Sequence, residues 1–323
     1  MFHPTAELLP YWYTAAVLLV DDDEGYLDAL ASLLSAERKI YTATSHREAL
    51  ALLDRSKALS RNFIRRSTDQ STAPHEHMVT IDASRVTSLA QEPRRYEEIA
   101  LVVADYSMPD GDGLSLCRSM LEFPCRRILL TGAADERLAV DAFNERLIHH
   151  FMRKADRLTE QLQQAVAVQQ HAYFRELTRP LAEGLRQRLG AFEHEPPVAA
   201  AVLELFAAIS ATEYYLCTEP GGYLVRTASG QWRFLLVQSG EERESTLEIL
   251  QTMPRFETLA RQHAQGDSLV YLSDPSRLPR AGGYEGFVVP PLRTVAAGGQ
   301  TYRLAWVDAP GHMTPHIARG GRS

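Results

Sequence analysis

The chain has 323 residues, of which 45% are hydrophobic and 23% charged, and its formal net charge is −7. This length predicts about two domains, and the composition is that of a globular protein. The negative charge disfavours broad, sequence-independent nucleic-acid binding but leaves a local basic face open. No apolar run is long enough to cross a bilayer.

Two features indicate a cytoplasmic protein. Residues 1–14 lack the basic region and apolar stretch of a signal peptide, and we expect this N-terminal segment to pack its aromatic side chains on a domain surface. The cysteines Cys117, Cys125 and Cys217 are odd in number and widely spaced, which favours reduced, buried thiols over a disulfide framework.

Five short apolar runs in the first half predict buried strands. They are Ala16–Val20, Lys39–Ala43, Leu101–Asp105, Ile128–Leu130 and Ile148–Met152. The stretches after the first four runs predict helices: one with Leu27, Leu30 and Leu34 on one face, Arg47–Leu53, Leu114–Leu121, and Ala134–Asn144 with Leu138 and Phe143 inward. Alternating strands and helices predict βαβ units and a parallel sheet.

Polar residues close these apolar runs: Asp21, Asp22, Asp105, Thr131 and Lys154. Parallel strands bring their carboxyl ends to one edge of the sheet, so these side chains converge there. Crowded carboxylates need a divalent cation, and an oxygen-only ligand set suits Mg²⁺. A carboxylate beside Mg²⁺ can act as a nucleophile toward a phosphoryl group, while a lysine and a hydroxyl pair with the phosphoryl oxygens.

The segments VLLVDDD, VVADYSMPDGDGL, ILLTGAAD and FMRK, in this order, resemble the receiver domain of two-component response regulators over about residues 15–175. The resemblance implies a doubly wound, five-stranded parallel α/β sheet. It also implies that Asp105 is the phosphoacceptor and that a sensor histidine kinase or a phosphotransfer protein is the partner. The remaining roles are also implied by the resemblance: the Mg²⁺ ligands Asp21 and Asp22 with the Ser107 carbonyl, the switch residues Thr131 and Phe151, and the phosphate-pairing Lys154.

The sequence departs from the receiver pattern in two places. Ala155 follows Lys154 where receivers usually have proline, and a long insert spans about residues 55–98. We expect this insert to be an ordered excursion that serves a partner or dimer contact, because structureless loops of this length are uncommon in compact domains. Within it we predict an extension of the second helix over Ala58–Arg66, a flexible tip at Gln70–His77, a strand at Met78–Ile81 and a helical turn over Ala83–Ala90. The insert is loosely similar to that of quorum-sensing-type response regulators.

The domain division predicted for the chain is a receiver domain at 15–156, a helical linker at 157–196, an output domain at 197–310 and a disordered tail at 311–323. The linker carries an apolar stripe from Leu158 to Leu177, and Pro180 should kink or end its helix. The output domain should be α+β, with an antiparallel sheet built from hairpins. Its predicted elements are a helix at Val198–Ser210, an interrupted helix at Glu241–Ala264, strands at Glu213–Cys217, Tyr223–Arg226, Gln231–Gln238, Ser268–Leu272 and Gln300–Val307, and turns at Gly221-Gly222 and Gly282-Gly283.

The sequence thus predicts a response regulator that acts as a phosphoacceptor and has no other enzymatic activity. Two alternatives for the output stay open: a transcription regulator with an unfamiliar DNA-binding domain, and a ligand-sensing or protein-interaction adaptor. A third alternative is a Mg²⁺ phosphohydrolase whose nucleophile opens a DxD motif. Asp21 and Asp23 satisfy that spacing, but Gly25 stands where Thr or Val is usual. A homodimer through the linker helix or a receiver face is also left open.

Overall fold

A computed structural model describes residues 7–56, 64–66, 79–81, 85–132, 136–154, 158–185, 192–265, 268–272, 286–310 and 313–314. The chain forms two compact units. The parallel-sheet unit consists of Tyr13–Arg61 and Pro93–Leu177, and the antiparallel-sheet unit of Met1–Trp12, Asn62–Glu92 and Thr178–Ser323. The predicted flexible tip, the Gly282-Gly283 turn, Ala155 and the predicted tail apart from residues 313–314 lie outside the described residues. The predicted domain boundaries stay predictions.

The strands are numbered along the described chain. They are β1 (Tyr11–Trp12), β2 (Ala16–Val20), β3 (Ile40–Ala43), β4 (Ile64–Arg66), β5 (Val79–Ile81), β6 (Ile99–Asp105), β7 (Ser107–Met108), β8 (Gly111–Asp112), β9 (Arg126–Thr131), β10 (His150–Arg153), β11 (Ala211–Thr218), β12 (Gly221–Thr227), β13 (Trp232–Gln238), β14 (Leu269–Leu272), β15 (Gly286–Val289), β16 (Arg293–Ala297) and β17 (Gln300–Asp308).

The α-helices are α1 (Glu24–Leu34), α2 (His46–Arg55), α3 (Gly113–Ser119), α4 (Glu136–Asn144), α5 (Leu158–Leu185), α6 (Pro196–Ala208), α7 (Gly240–Gln251) and α8 (Glu257–Gln265). Short 3₁₀ helices lie at Thr87–Gln91, Pro93–Glu97, Phe192–His194 and Pro254–Phe256. None of the described helices is long and apolar enough to span a membrane.

The parallel-sheet unit has the strand order β3-β2-β6-β9-β10, with every neighbouring pair parallel. Helices α1 and α5 bury their apolar side chains on one face, and α2, α3 and α4 bury theirs on the other. Every residue of β2 and of β6 is buried because helices cover both faces. The doubly wound, five-stranded α/β fold predicted from the sequence is confirmed.

The antiparallel-sheet unit has the strand order β1-β11-β12-β13-β17-β16. Helix α6 starts with Pro196 at its first position, where the missing N–H costs nothing. It packs Phe206 against Tyr214 of β11 and Tyr223 of β12, with ring centroids 4.9 and 5.5 Å apart. Helices α7 and α8 form a further apolar cluster with β14. The predicted α+β class with an antiparallel sheet is confirmed.

A buried carboxylate lies at the amino end of the parallel sheet. Glu98, directly before β6, is 2% exposed and accepts hydrogen bonds from the hydroxyls of Tyr13 and Tyr173. The Glu98 carbonyl also accepts the amide of Ala16, at 2.8 Å. The Glu98 side chain therefore links two tyrosines, Tyr13 just before β2 and Tyr173 in α5, to the start of β6.

The described N-terminal residues differ from the predicted surface segment. Tyr11 and Trp12 add β1 to the edge of β11, in register with Tyr215 and Tyr214. Tyr11 and Tyr13 are almost fully buried, so these rings belong to cores rather than to a surface. A two-residue strand carries no periodic signal of its own, and its partner is distant in sequence.

Two further predictions about the first half are wrong. Phe143 is 41% exposed rather than inward, because α4 buries Ala139 and Ala142 on the adjacent part of its surface. Helix α2 does not extend over Ala58–Arg66: it ends at Arg55, and Ile64–Arg66 forms β4 instead, which pairs with β5. The strand predicted at Met78–Ile81 is confirmed at Val79–Ile81.

In the second half, α5 continues through Pro180 to Leu185 rather than ending there. The buried side chains of Leu181 and Leu185 offset the hydrogen bond that the proline cannot make. Gly222 is a strand residue rather than part of a turn. Its φ is +151°, and a Cβ there would lie 2.0 Å from the Leu235 carbonyl oxygen, so glycine permits β12 and β13 to pair.

Candidate functional site

The polar residues predicted to converge come from the carboxyl ends of four parallel strands. Asp105 is the last residue of β6 and lies opposite Leu130 of β9. Thr131 is the last residue of β9 and lies opposite Arg153 of β10. Lys154 directly follows Arg153. Each strand is apolar until its final residues because its interior crosses the core, and the polar side chains begin where the core ends.

Three carboxylates form one cluster in this crevice. Asp21, Asp22 and Asp105 each offer an oxygen, and these oxygens all lie within 4.8 Å of one another. Asp21 and Asp105 are 3% and 5% exposed, whereas Asp22 is exposed to solvent. Like charges at this separation repel unless a cation lies among them.

Lys154 supplies a positive charge at the cluster. Its ammonium lies 2.7 Å from Asp21 Oδ2 and 2.8 Å from Asp105 Oδ1, so it bridges the two buried carboxylates. Burial alone would lower the pKa of Lys154, but the hydrogen bonds and charges of Asp105 and Asp21 together outweigh burial and raise it. The lysine is therefore a cation at neutral pH, as pairing with an anionic group requires.

Main-chain groups fix the orientation of the carboxylates. The amide of Asp23 donates to Asp21 Oδ1 at 3.0 Å, and the amide of Ser107 donates to Asp105 Oδ2 at 3.0 Å. Asp23 itself caps α1 by accepting the amide of Tyr26 at 3.0 Å. Of the three consecutive aspartates, two thus belong to the acidic cluster and the third serves as a helix cap.

The loop after Asp105 is held close to the strand. Strands β7 and β8 form a small hairpin, and Asp112 then caps α3 through the amide of Ser115 at 2.7 Å. A Cβ on Gly113 would lie 2.2 Å from the Asp105 carbonyl oxygen, so only glycine allows α3 to begin this near to β6. Asp110 of this loop accepts the amide of His46 at 2.7 Å.

The remaining predicted site residues lie near this edge with different degrees of exposure. Thr131 is 4% exposed, Ser107 is exposed, and Phe151 is half-buried against the cluster beneath α2, α3 and α4. The roles of the Ser107 carbonyl as a ligand and of Thr131 and Phe151 as switch residues stay predictions. The sequence did not single out Tyr26, whose ring lies with its centroid 4.4 Å from the Lys154 ammonium. No motif marks this residue, since its partner is distant in sequence.

Comparison with known proteins identifies the fold. The response regulator LqsR of Legionella pneumophila superposes with a TM-score of 0.71 and 23% identity, over 94% of this chain and 89% of that one. The signal receiver domain of an HD domain-containing protein from Pseudomonas fluorescens Pf-5 matches 55% of this chain and 96% of its own length, at 24% identity and a TM-score of 0.35. A CheY-like receiver from Methanospirillum hungatei JF-1 matches 50% of this chain and 98% of its own length, at 18% identity and a TM-score of 0.34.

No protein-family profile and no curated protein matches the sequence. The likeness to LqsR covers nearly all of the chain, so it includes the antiparallel-sheet unit as well as the five-stranded parallel sheet. The receiver-like resemblance predicted from the sequence motifs is confirmed at the level of the fold. This chain therefore has the fold of a response regulator over nearly its whole length.

Proposed function

We propose that the chain is a response regulator in which Asp105 accepts a phosphoryl group from a sensor histidine kinase or a phosphotransfer protein. One observation carries the proposal: the Asp105 carboxylate lies in a cluster of three carboxylates and is paired at 2.8 Å with the ammonium of Lys154. An acidic cluster that is also paired with a partly buried lysine suits the binding of a cation and a phosphoryl anion together.

The transfer step follows from these groups. A carboxylate oxygen of Asp105 attacks the phosphorus, a bond forms between that oxygen and phosphorus, and the bond from phosphorus to the donor's nitrogen breaks. The electron pair of that bond stays on the donor imidazole, which takes up a proton. Lys154 then pairs with a phosphoryl oxygen, and Thr131 donates its hydroxyl to another.

The carboxylates fit Mg²⁺, because an oxygen-only donor set with few protein ligands is what this ion prefers. Asp21, Asp22 and Asp105 would hold it, with the Ser107 carbonyl as a further ligand. When bound, the ion neutralises the negative charge of the incoming phosphoryl oxygens and of the carboxylates. Asp21 also contacts Lys154 at 2.7 Å, so the ion and the lysine ammonium would share this carboxylate.

The new charge on Asp105 changes which state of the parallel-sheet unit is favoured. We propose that Thr131 and Phe151 report this change and that it reaches the output through α5, which belongs to the parallel-sheet unit up to Leu177 and to the antiparallel-sheet unit from Thr178. The chain then acts as a phosphoacceptor in the cytoplasm and not as an enzyme with turnover. Its output is either an interaction with a partner molecule or the binding of DNA.

A small phosphodonor tests the proposal. Wild type incubated with Mg²⁺ and radiolabelled acetyl phosphate should incorporate label that is labile to base, and Asp105→Asn should incorporate none. Asp110→Asn is the matched control, because Asp110 is an exposed aspartate of the same loop and its asparagine can still accept the amide of His46. Equal labelling of wild type and Asp105→Asn would refute the proposal. Sustained release of phosphate from phosphate monoesters would instead favour the phosphohydrolase alternative.

A further inference from the structure

A tyrosine ring lies over the site lysine. Tyr26 is in the first turn of α1, and the Lys154 ammonium is 4.4 Å from the centroid of its ring, within the range of a cation–π contact. The same ammonium contacts Asp21 Oδ2 and Asp105 Oδ1. The ring is therefore the third neighbour of the charge that has to meet a phosphoryl oxygen on Asp105.

Two hydrogen bonds, each donated by a main-chain amide, connect Tyr26 through Asp23 to Asp21. Asp21 accepts the amide of Asp23, and Asp23 in turn accepts the amide of Tyr26, each at 3.0 Å. Gly25 lies between Asp23 and Tyr26 in the sequence. Because glycine has no side chain, it leaves room for this cap, whereas a Cβ there would lie 3.3 Å from Asp23 Oδ1. The main chain that carries the ring is thus linked to Asp21 by hydrogen bonds.

The hydroxyl of Tyr26 is buried, and it makes no hydrogen bond with the part of the chain that the structure describes. Buried hydroxyls are nearly always paired, so this one needs a reason. Burial raises the pKa of Tyr26, the charge of Lys154 lowers it, and the charges of Asp21 and Asp105 raise it, with a net rise. The phenol is therefore protonated at neutral pH and can donate a hydrogen bond.

We propose that Tyr26 is a positioning residue of the phosphoacceptor site, whose ring holds the Lys154 ammonium beside Asp105 and whose hydroxyl donates to a phosphoryl oxygen once Asp105 is phosphorylated. This inference rests on the proposed function. The Tyr26 hydroxyl also controls how long Asp105 stays phosphorylated. In hydrolysis, water attacks the phosphorus, the bond from phosphorus to the Asp105 oxygen breaks, and inorganic phosphate leaves. A phosphoryl group held by the phenol is less open to that attack.

Two substitutions separate the ring from the hydroxyl. Tyr26→Phe keeps the ring over Lys154 and removes only the donor. Asp105 of this variant should still be labelled by acetyl phosphate, but its aspartyl phosphate should decay about tenfold faster, which corresponds to about 1.4 kcal/mol of barrier. Tyr26→Leu removes the ring as well, so it should be labelled more slowly and also decay faster.

A matched control is available on β3. Tyr41 also has a lysine over its ring, with Lys39 Nζ 5.0 Å from the centroid, but it lies outside the acidic cluster. Tyr41→Phe should keep the wild-type decay rate. A second readout needs no phosphoryl transfer: beryllofluoride with Mg²⁺ should raise the unfolding temperature of Tyr26→Phe less than that of wild type and of Tyr41→Phe.

The outcomes separate this inference from the proposed function. If Asp105 is labelled and Tyr26→Phe decays at the wild-type rate, the role of the hydroxyl is refuted and the proposed function stands. If Tyr26→Leu is labelled as fast as wild type, the role of the ring is refuted. If wild type takes up no label, the proposed function fails and this inference fails with it.

Discussion

Substitution of Glu98 tests quantitatively how a buried carboxylate stabilises the parallel-sheet unit. It is 2% exposed and accepts the hydroxyls of Tyr13 and Tyr173, which are 0% and 2% exposed. Glu98→Ala takes the carboxylate acceptor away from the hydroxyls of both tyrosines. A buried polar group that loses its partner costs about 1–3 kcal/mol, so we expect the substitution to lower the free energy of unfolding by about 2–6 kcal/mol.

That loss is large against a typical total of about 5–15 kcal/mol, so urea denaturation should detect it readily. All three tryptophans, at positions 12, 232 and 306, belong to the antiparallel-sheet unit. Tryptophan fluorescence therefore follows that unit, whereas far-ultraviolet circular dichroism follows both. The midpoint seen by dichroism should fall to lower urea in Glu98→Ala.

The adjacent Glu97 supplies the control, because its side chain is 44% exposed and makes surface ion pairs with Lys39 at 3.0 Å and with Arg94 at 3.7 Å. Glu97→Ala should leave the midpoint where it is in wild type. The triple substitution Glu98→Leu, Tyr13→Phe and Tyr173→Phe removes the acceptor and both donors together, and it should recover most of the loss. A Glu98→Ala protein within about 1 kcal/mol of wild type would refute the reasoning.

Three further predictions concern the site and the sheet. Gly113→Ala should destabilise the chain by about 1–3 kcal/mol in urea denaturation, because its Cβ would lie 2.2 Å from the Asp105 carbonyl oxygen. The same substitution should reduce the rate at which acetyl phosphate labels Asp105. Lys154→Met should bind Mg²⁺ several-fold more tightly in calorimetry, since a cation that competes for the same carboxylates is gone; weaker binding would contradict this. Burial, with the charges of Arg126 and Arg127, lowers the pKa of His149 from 6.5 to about 3. Below pH 6.5 the unfolded chain therefore takes up a proton that the folded chain takes up only near pH 3, and stability falls as pH falls across that window. His149→Asn should have a shallower fall between pH 6.5 and 4, measured by urea denaturation at each pH.

The parallel sheet and its carboxyl edge were predictable because one physical signal marks the three central strands β2, β6 and β9. A strand covered by helices on both faces must be apolar throughout, as Ala16–Val20 is, and its first polar residue then marks the edge of the core. Asp105 and Thr131 each end their strand in this way. Three such strands, alternating with helices in this order, leave few other folds open.

The rest depended on contacts that are distant in sequence. Tyr11–Trp12 is a strand only because β11 offers an unpaired edge. Two strands, Gly286–Val289 and Arg293–Ala297, were not predicted, because Pro290 and Pro291 between them dominate the local pattern. Tyr26 follows helix-start residues and has no signature of its own, and only the folded chain brings it over Lys154.

The interleaving of the two units has a consequence for the order in which the chain can fold during synthesis. Tyr11 leaves the ribosome early, but its strand partner Tyr215 follows about two hundred residues later. The antiparallel sheet thus cannot close its β1 edge until β11 has been made, whereas all five strands of the parallel sheet are complete by Arg153. A nascent chain therefore has all the strands of the parallel sheet while β1 still lacks its partner strand. Fragments cut after α5 would keep that strand without the sheet to which it belongs.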